Sequence, residues 1–234
     1  MGTVISNERL TDGVYRLSVE GGNGGKIGQF YMLRAWGAYP ILSRPISINL
    51  VNENSIDFLY HVVGEGTELL SELKPGDAIG LEGPFGNGFP AVEGRIALVG
   101  GGIGIAPLLY CARELSSCDV YLGFSREPFQ VEDFRLHTDK LTVDVGGLIL
   151  DSVDFSEYDH VFVCGPHPML KAAQLKSIAA ESAGSRTNVY LSMENRMACG
   201  IGACLVCSVS CRDGQRKACT DGPVFFADEV VFHD

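Results

Sequence analysis

The sequence of 234 residues is 46% hydrophobic, enough for a real core and for one large or two to three small domains. A net charge of −11 and a pI near 4.9 repel nucleic acid and anionic lipid, and no apolar run approaches the length of a membrane span. Nucleic-acid and membrane partners are therefore not expected, and the chain reads as soluble and cytoplasmic.

Short strands fill the first part of the chain: Thr3 to Ser6, Val14 to Val19, Phe30 to Ala35, Ile46 to Val51, Ser55 to Val62 and Ala78 to Glu82. Gly and Pro punctuate them at Gly21–Gly25, Lys74–Asp77 and Gly83–Gly88. This spacing predicts a small antiparallel β-barrel of six strands over residues 1–92. One helix interrupts it, Thr67 to Leu73, with Thr67 as the expected N-cap. The start, Met1 to Ser6, formally fits a myristoylation pattern, but Val4-Ile5 opens a strand-like run, and the match is read as accidental.

Within the barrel, Arg44-Pro45-Ile46-Ser47 enters a strand, with a permanent forked cation at Arg44 and a fixed backbone at Pro45. Leu59-Tyr60-His61 ends another strand, and Gly66-Thr67 opens the helix, whose first amides suit a pyrophosphate. Together the three point to a flavin dinucleotide; singly, Arg44 reads as a solvated strand end and Tyr60 as a packed aromatic.

From residue 93 to 190 strands alternate with helices: Arg95 to Val99, a helix over Ala106 to Leu115, Asp119 to Phe124, His160 to Cys164, and a helix over Pro168 to Ala183. The alternation predicts an α/β parallel sheet. The loop Gly100-Gly101-Gly102-Ile103-Gly104-Ile105-Ala106-Pro107 follows a buried strand and opens a helix, the setting in which glycines let a nucleotide phosphate reach backbone amides. It is not a strict G-x-G-x-x-G, because Ile105 stands at the third glycine position. Ser125-Arg126 occupies the place of a ribose-binding acid, which leaves NADH and NADPH both open. Cys164 closes a strand at the carboxyl edge of the sheet, as a ligand contact or as a small apolar filler. Cys111 and Cys118 read as structural.

The last 44 residues, 191–234, are too short for a core of their own. They hold Cys199, Cys204, Cys207 and Cys219 in the spacing C-x4-C-x2-C-x11-C, the plant-type pattern for a [2Fe-2S] cluster. Gly200 and Gly202 supply positive φ and let amides approach the sulfurs. A disulfide framework and structural zinc are the alternatives; the first lacks a secretory leader, the second a complementary C-x2-C or H-x3-H. Cys211 reads as a non-ligating spare.

The ordered set Arg44–Ser47, Gly64–Thr67, Gly83–Phe89, Gly100–Pro107, Cys164–Pro166, Arg196–Cys204 and Cys219–Phe225 resembles the electron-transfer subunits of NAD-dependent, B-type dihydroorotate dehydrogenases, within the ferredoxin-reductase superfamily. The resemblance implies FAD held by Arg44, Pro45, Ile46, Ser47, Leu59, Tyr60, His61, Gly66 and Thr67. It implies NAD(H) docked over Gly101, Gly102, Gly104 and Pro107 near Cys164, and a cluster on the four cysteines. Ile46 stands where many superfamily members have Tyr, and His61 where Arg is common. No catalytic acid or base is implied on this chain. The implied partner is an FMN-containing catalytic subunit that oxidises dihydroorotate, in a heterotetramer of two chains of each kind. The apolar tail Val224 to Phe232 is expected to pack both on this chain and on that partner. The rivals are an FAD/[2Fe-2S] subunit of another redox enzyme, such as a transhydrogenase or hydrogenase module, and a zinc or redox-sensing module on a degenerate reductase fold.

Overall fold

The computed structural model describes residues 1–22, 24–115, 117–138 and 140–233; Asn23, inside the expected Gly21–Gly25 turn, lies outside the described residues. Strands β1 (Gly2–Thr11), β2 (Val14–Glu20), β3 (Phe30–Arg34), β4 (Arg44–Val51), β5 (Ser55–His61) and β6 (Ala78–Phe85) close into a barrel in the order β1-β2-β5-β4-β3-β6, with every neighbouring pair antiparallel. Leu17, Val19, Leu33, Ile48, Phe58 and Ile79 are wholly buried within it. Helix α1 (Glu65–Ser71) follows β5 and starts earlier than its sequence suggests. Gly64 is the N-cap, and Thr67, three residues in, turns its Oγ1 back to accept from the amides of Val63 and Gly64 at 2.9 and 3.2 Å. A glycine cap has no side chain to offer, so the threonine satisfies those amides from inside the helix.

The chain continues through β7 (Ile96–Gly101), α2 (Ala106–Glu114), β8 (Cys118–Phe124), α3 (Val131–Arg135), β9 (Leu141–Val145), β10 (His160–Cys164), α4 (His167–Ser182) and β11 (Asn188–Ser192). A hairpin of β12 (Ser208–Cys211) and β13 (Gly214–Lys217) and a last short strand, β14 (Val224–Phe226), complete it. Strands β7 to β11 are parallel, and the second sheet runs β14-β11-β10-β7-β8-β9 with β14 antiparallel at the edge. Successive strands add outward from β7 in one direction and from β10 in the other. The strand order therefore switches between β7 and β10, where open α/β sheets bind ligands at their carboxyl ends.

Five strands, β9 and β11 to β14, were not legible as such in the sequence. Strand β9 is a half-exposed edge strand whose alternating apolar residues, Leu141, Val143 and Val145, are too few and too open to stand out in the sequence. The boundary expected after residue 190 falls inside β11. The C-terminal segment also shares a core with its neighbours: Cys207, Val209, Ala218, Cys219 and Phe225 bury against Ala97, Val99, Val163 and Leu191 of the sheet and Phe30 and Met32 of the barrel. In the tail, Phe225, Ala227 and Val230 are buried on this chain, and Gln174 of α4 donates to the carbonyls of Ala227 and Val230. Phe226 and Val231 are more exposed than these.

Candidate functional site

The β4–β5 ladder stops at the pair Ile48↔Phe58, so Arg44–Ser47 pair only with β3 and Leu59–His61 only with β2. The barrel wall is thus split between the two strand ends that the sequence singled out. Helix α1 meets this split: the guanidinium of Arg44 lies over Gly66, where an added Cβ would sit 2.3 Å from Nε. The same guanidinium lies over Trp36, with its Cζ 5.3 Å from the ring centroid. Trp36 carried no signal in the sequence beyond being the single tryptophan, two residues from Arg34 and eight from Arg44. A cation held over amides at a helix start fits the pyrophosphate of a flavin dinucleotide.

Not every residue of the expected set faces the split. The Tyr60 ring stacks on Tyr15 at 5.7 Å, and its hydroxyl donates to Asn7 Oδ1 at 3.1 Å, while burial raises its pKa. It is a packed strand aromatic, and Leu59 is likewise buried. The imidazole of His61 lies against Gly13 in the β1–β2 turn.

At the switch point, β7 ends in Gly100-Gly101 and runs through a 3-10 turn, Gly102–Ile105, straight into α2, with Pro107 in its first turn. The helical start is therefore at Gly102 rather than Ala106. An added Cβ on Gly104 would come within 2.6 Å of the Cys164 carbonyl, and one on Gly101 within 2.5 Å of Met169 Sδ. The glycine loop and the Cys164–Met169 segment thus interlock across the β7–β10 crevice, with Met169 spanning Gly101 and Gly165. Burial pushes the Cys164 thiol up, the charge of Glu194 adds to this, and a hydrogen bond with Ser192 opposes it.

All eight cysteines are free thiols. Among the described residues no three His, Cys, Asp or Glu side chains gather closely enough for a single ion. Cys199 interacts electrostatically with Cys204, and Cys219 with Cys207 first and Cys199 after it, so the four thiols influence one another across the loop. A binuclear cluster takes four thiolates, which this set fits. Backbone N–H from Ile201, then the Cys204 thiol and the amides of Cys204 and Ala203, bring Cys199 down to about 6. Gly200 and Gly202 take φ of 72° and 79°, and Leu205 takes 60°, so this loop turns its amides inward. Burial takes Cys219 up to about 11, against the Gly202 amide that lowers it. Cys211 lies on β12 and pairs with Gly214 of the hairpin.

The cluster segment is fastened to the barrel. An added Cβ on Gly200 would lie 3.1 Å from Met32 Cγ. After β6, Asn87 donates its Nδ2 to the carbonyls of Thr220 and Asp221 at 3.0 and 3.3 Å, and its backbone amide to Gly222 at 2.6 Å. The turn Gly86-Asn87-Gly88, which imitates a dinucleotide motif in sequence, thus serves as a clamp on the chain just past Cys219.

Residues 194–231 match the family model for the iron-sulfur cluster binding domain of dihydroorotate dehydrogenase B. The chain is 44% identical to the dihydroorotate dehydrogenase B (NAD(+)) electron transfer subunit of Clostridium acetobutylicum, over 99% of this chain and 96% of that protein. It is 42% identical to the same subunit of Caldanaerobacter subterraneus subsp. tengcongensis, over 98% and 97%. Among solved structures it is similar to an NADH-dependent reduced ferredoxin–NADP oxidoreductase described for flavin-based electron bifurcation, with a TM-score of 0.87 and 26% identity over 99% of this chain and 90% of that one. Phthalate dioxygenase reductase shares the fold, with a TM-score of 0.62 and 18% identity over 90% and 86% of the two chains.

Proposed function

This chain belongs to the family of dihydroorotate dehydrogenase B (NAD(+)) electron transfer subunits, and from that premise we propose that it carries electrons between a separate FMN-containing chain, which oxidises dihydroorotate to orotate, and NAD+. It works in pyrimidine biosynthesis, with FAD and one [2Fe-2S] cluster as resident groups and NAD(H) as co-substrate. A flavin exchanges two electrons with a nicotinamide and single electrons with a cluster, which is the chemistry this order of sites requires. The protein's own residues bind and orient. Arg44 through Ser47, the main chain of Leu59–His61 and Gly66-Thr67 hold the flavin; Gly101, Gly102, Gly104, Pro107 and Cys164 receive the nicotinamide nucleotide. Cys199, Cys204, Cys207 and Cys219 would hold the cluster, which would supply one-electron exchange with the flavin.

The division of labour follows residues 1–92, 93–190 and 191–234, with β11 shared by the last two. The assembly is a cytoplasmic heterotetramer with two copies of each chain; among the described residues no helix is long and apolar enough to cross a membrane. The observation that carries this reading is the grouping of the four thiols around inward amides, on a segment clamped to the barrel. Its test is Cys204→Ser in the purified complex. NADH should still reduce the flavin, while dihydroorotate-dependent NAD+ reduction disappears; unimpaired turnover would remove the relay. The likeness to the ferredoxin–NADP oxidoreductase supports a second reading, a subunit of such a transhydrogenase. Absence of any orotate chemistry in a flavin- and iron-loaded preparation would favour it.

A further inference from the structure

Three polar side chains are buried among the described residues: Thr67, Ser192 and Asn49. The first two belong to the sites above; Asn49, fully shielded from solvent, does not. It stands on β4 between the pairs Ile48↔Phe58 and Leu50↔Asp57, where β4 carries one residue more than β5. A bulge of this kind re-aims a side chain. Its Nδ2 donates to the carbonyl of Ala106 at 2.8 Å and to Oε1 of Gln130 at 3.1 Å, and its Oδ1 accepts from Nε2 of Gln130 at 2.7 Å. Gln130 itself sits at φ 58°, ψ 16°, a left-handed conformation in which an L side chain persists only where its surroundings hold it.

The two amides join parts of the molecule that lie far apart in sequence. Asn49 is two residues beyond Ser47, on the strand that carries the flavin motif. Ala106 is the first residue of α2, directly after the glycine loop. Apolar side chains would fill this boundary equally well, but they tolerate sliding, whereas a reciprocal amide pair with a third partner has one low-energy register. Hydride transfer is sensitive to such a register, because the reacting atoms must approach to roughly 3–3.5 Å and a misplacement of about 1 Å costs on the order of a hundredfold in rate.

We propose that Asn49 and Gln130 are positioning residues: their amide pair, with Asn49 buried and Gln130 half-buried, sets the register of the nucleotide-binding sheet against the barrel, and so the approach of nicotinamide to flavin. The proposal rests on the reading that the two nucleotides meet across this boundary. Tyr110 and Arg113 of α2 hold the same boundary nearer the surface, through the carbonyls of Gly25 and Val51, so the parts still dock when the amide pair is gone.

The test is anaerobic stopped-flow reduction of the bound flavin by NADH in the intact complex, with thermal melting in parallel. Asn49→Leu and Gln130→Met each leave the partner amide short of hydrogen bonds and should lower the melting temperature. The double variant removes both amides and should recover most of that loss. If the pair sets position, the double variant still reduces its flavin at least tenfold more slowly at saturating NADH, with less than a threefold change in the NADH concentration for half-saturation. A purely structural role predicts that rate recovers with stability, and a double variant within twofold of wild type overturns the proposal. Gln130→Gly suits the left-handed backbone and serves if the double variant does not fold, with the same two outcomes. A wild-type complex whose flavin NADH does not reduce would instead remove the reading on which the proposal stands.

Discussion

The guanidinium of Arg44 occupies the space that a side chain on Gly66 would need, with its Cζ 2.4 Å from the position of an added Cβ. Replacing a helical glycine with alanine ordinarily stabilises by about 0.5–1 kcal/mol. Here the same change pushes aside the flexible end of Arg44, the cation proposed to meet the flavin phosphates. The Gly66→Ala protein is expected to melt at or above the wild-type temperature when free of flavin. It should nevertheless bind FAD about ten- to a hundredfold more weakly, the equivalent of losing one charged hydrogen bond of about 1.5–3 kcal/mol. Equilibrium titration of the flavin-free chain with FAD measures this, and an unchanged affinity would place the phosphates elsewhere.

How much of this was readable beforehand depends on whether the chemistry is local. The cysteine spacing, the glycine loop and the Arg44–Ser47 motif each lie within a short stretch of chain, so their signal survives in a single sequence. The Asn49–Gln130 pair spans 81 residues and leaves no local trace. Thr67 was legible as a capping residue but not its place, because the cap itself is a glycine and the hydroxyl acts from the third helical position. Strand β14 is three residues long and gains its identity only by pairing with β11. Asn87 was visible as part of a turn, while its hold on Thr220 depends on a contact 133 residues away.

That hold leads to a second expectation. Asn87→Ala removes two side-chain hydrogen bonds at a partly solvated position, each worth about 0.5–1.5 kcal/mol, and leaves the barrel untouched. The barrel should melt as before, while the segment after Cys219 opens more often. Iron release to a chelator should quicken by about two- to tenfold. An unchanged release rate would mean that the cluster segment is held by its apolar core alone.

A polar cluster at the amino edge of the sheet, opposite the nucleotide crevice, gives a prediction about stability without function. Tyr158 donates to Asp119 Oδ2 at 2.6 Å and accepts from the Tyr121 hydroxyl at 2.7 Å and from Lys140 Nζ at 3.3 Å. Tyr158→Phe deprives a buried hydroxyl and a carboxylate of one partner each, at about 1–3 kcal/mol. The melting temperature should fall by roughly 3–8 °C for a chain of this size. Calorimetry would record the drop, and NADH-dependent flavin reduction should be unaltered. A rate that falls with it would tie this edge to the active crevice.

The buried thiols fix the direction of the pH response. Burial, reinforced by the neighbouring Asp119 charge, pushes Cys118 from its ordinary 9.0 up to about 12, and burial raises Cys111 well above the same value. Between those limits the unfolded chain has released protons that the folded chain still holds, so the folded state binds more protons and its stability falls as pH rises. Below about pH 9 the contribution is fully present, since both states are then protonated. Denaturant midpoints should therefore be level from neutral pH to about 8.5 and decline steadily above about 9. Cys118→Ala removes one of the titrating groups and should make the decline shallower, even if its midpoint is lower throughout because of the cavity. An equal slope in the two proteins would mean that Cys118 titrates alike folded and unfolded, and that the alkaline loss comes from other groups such as the buried hydroxyl of Tyr60, whose pKa is likewise raised by burial.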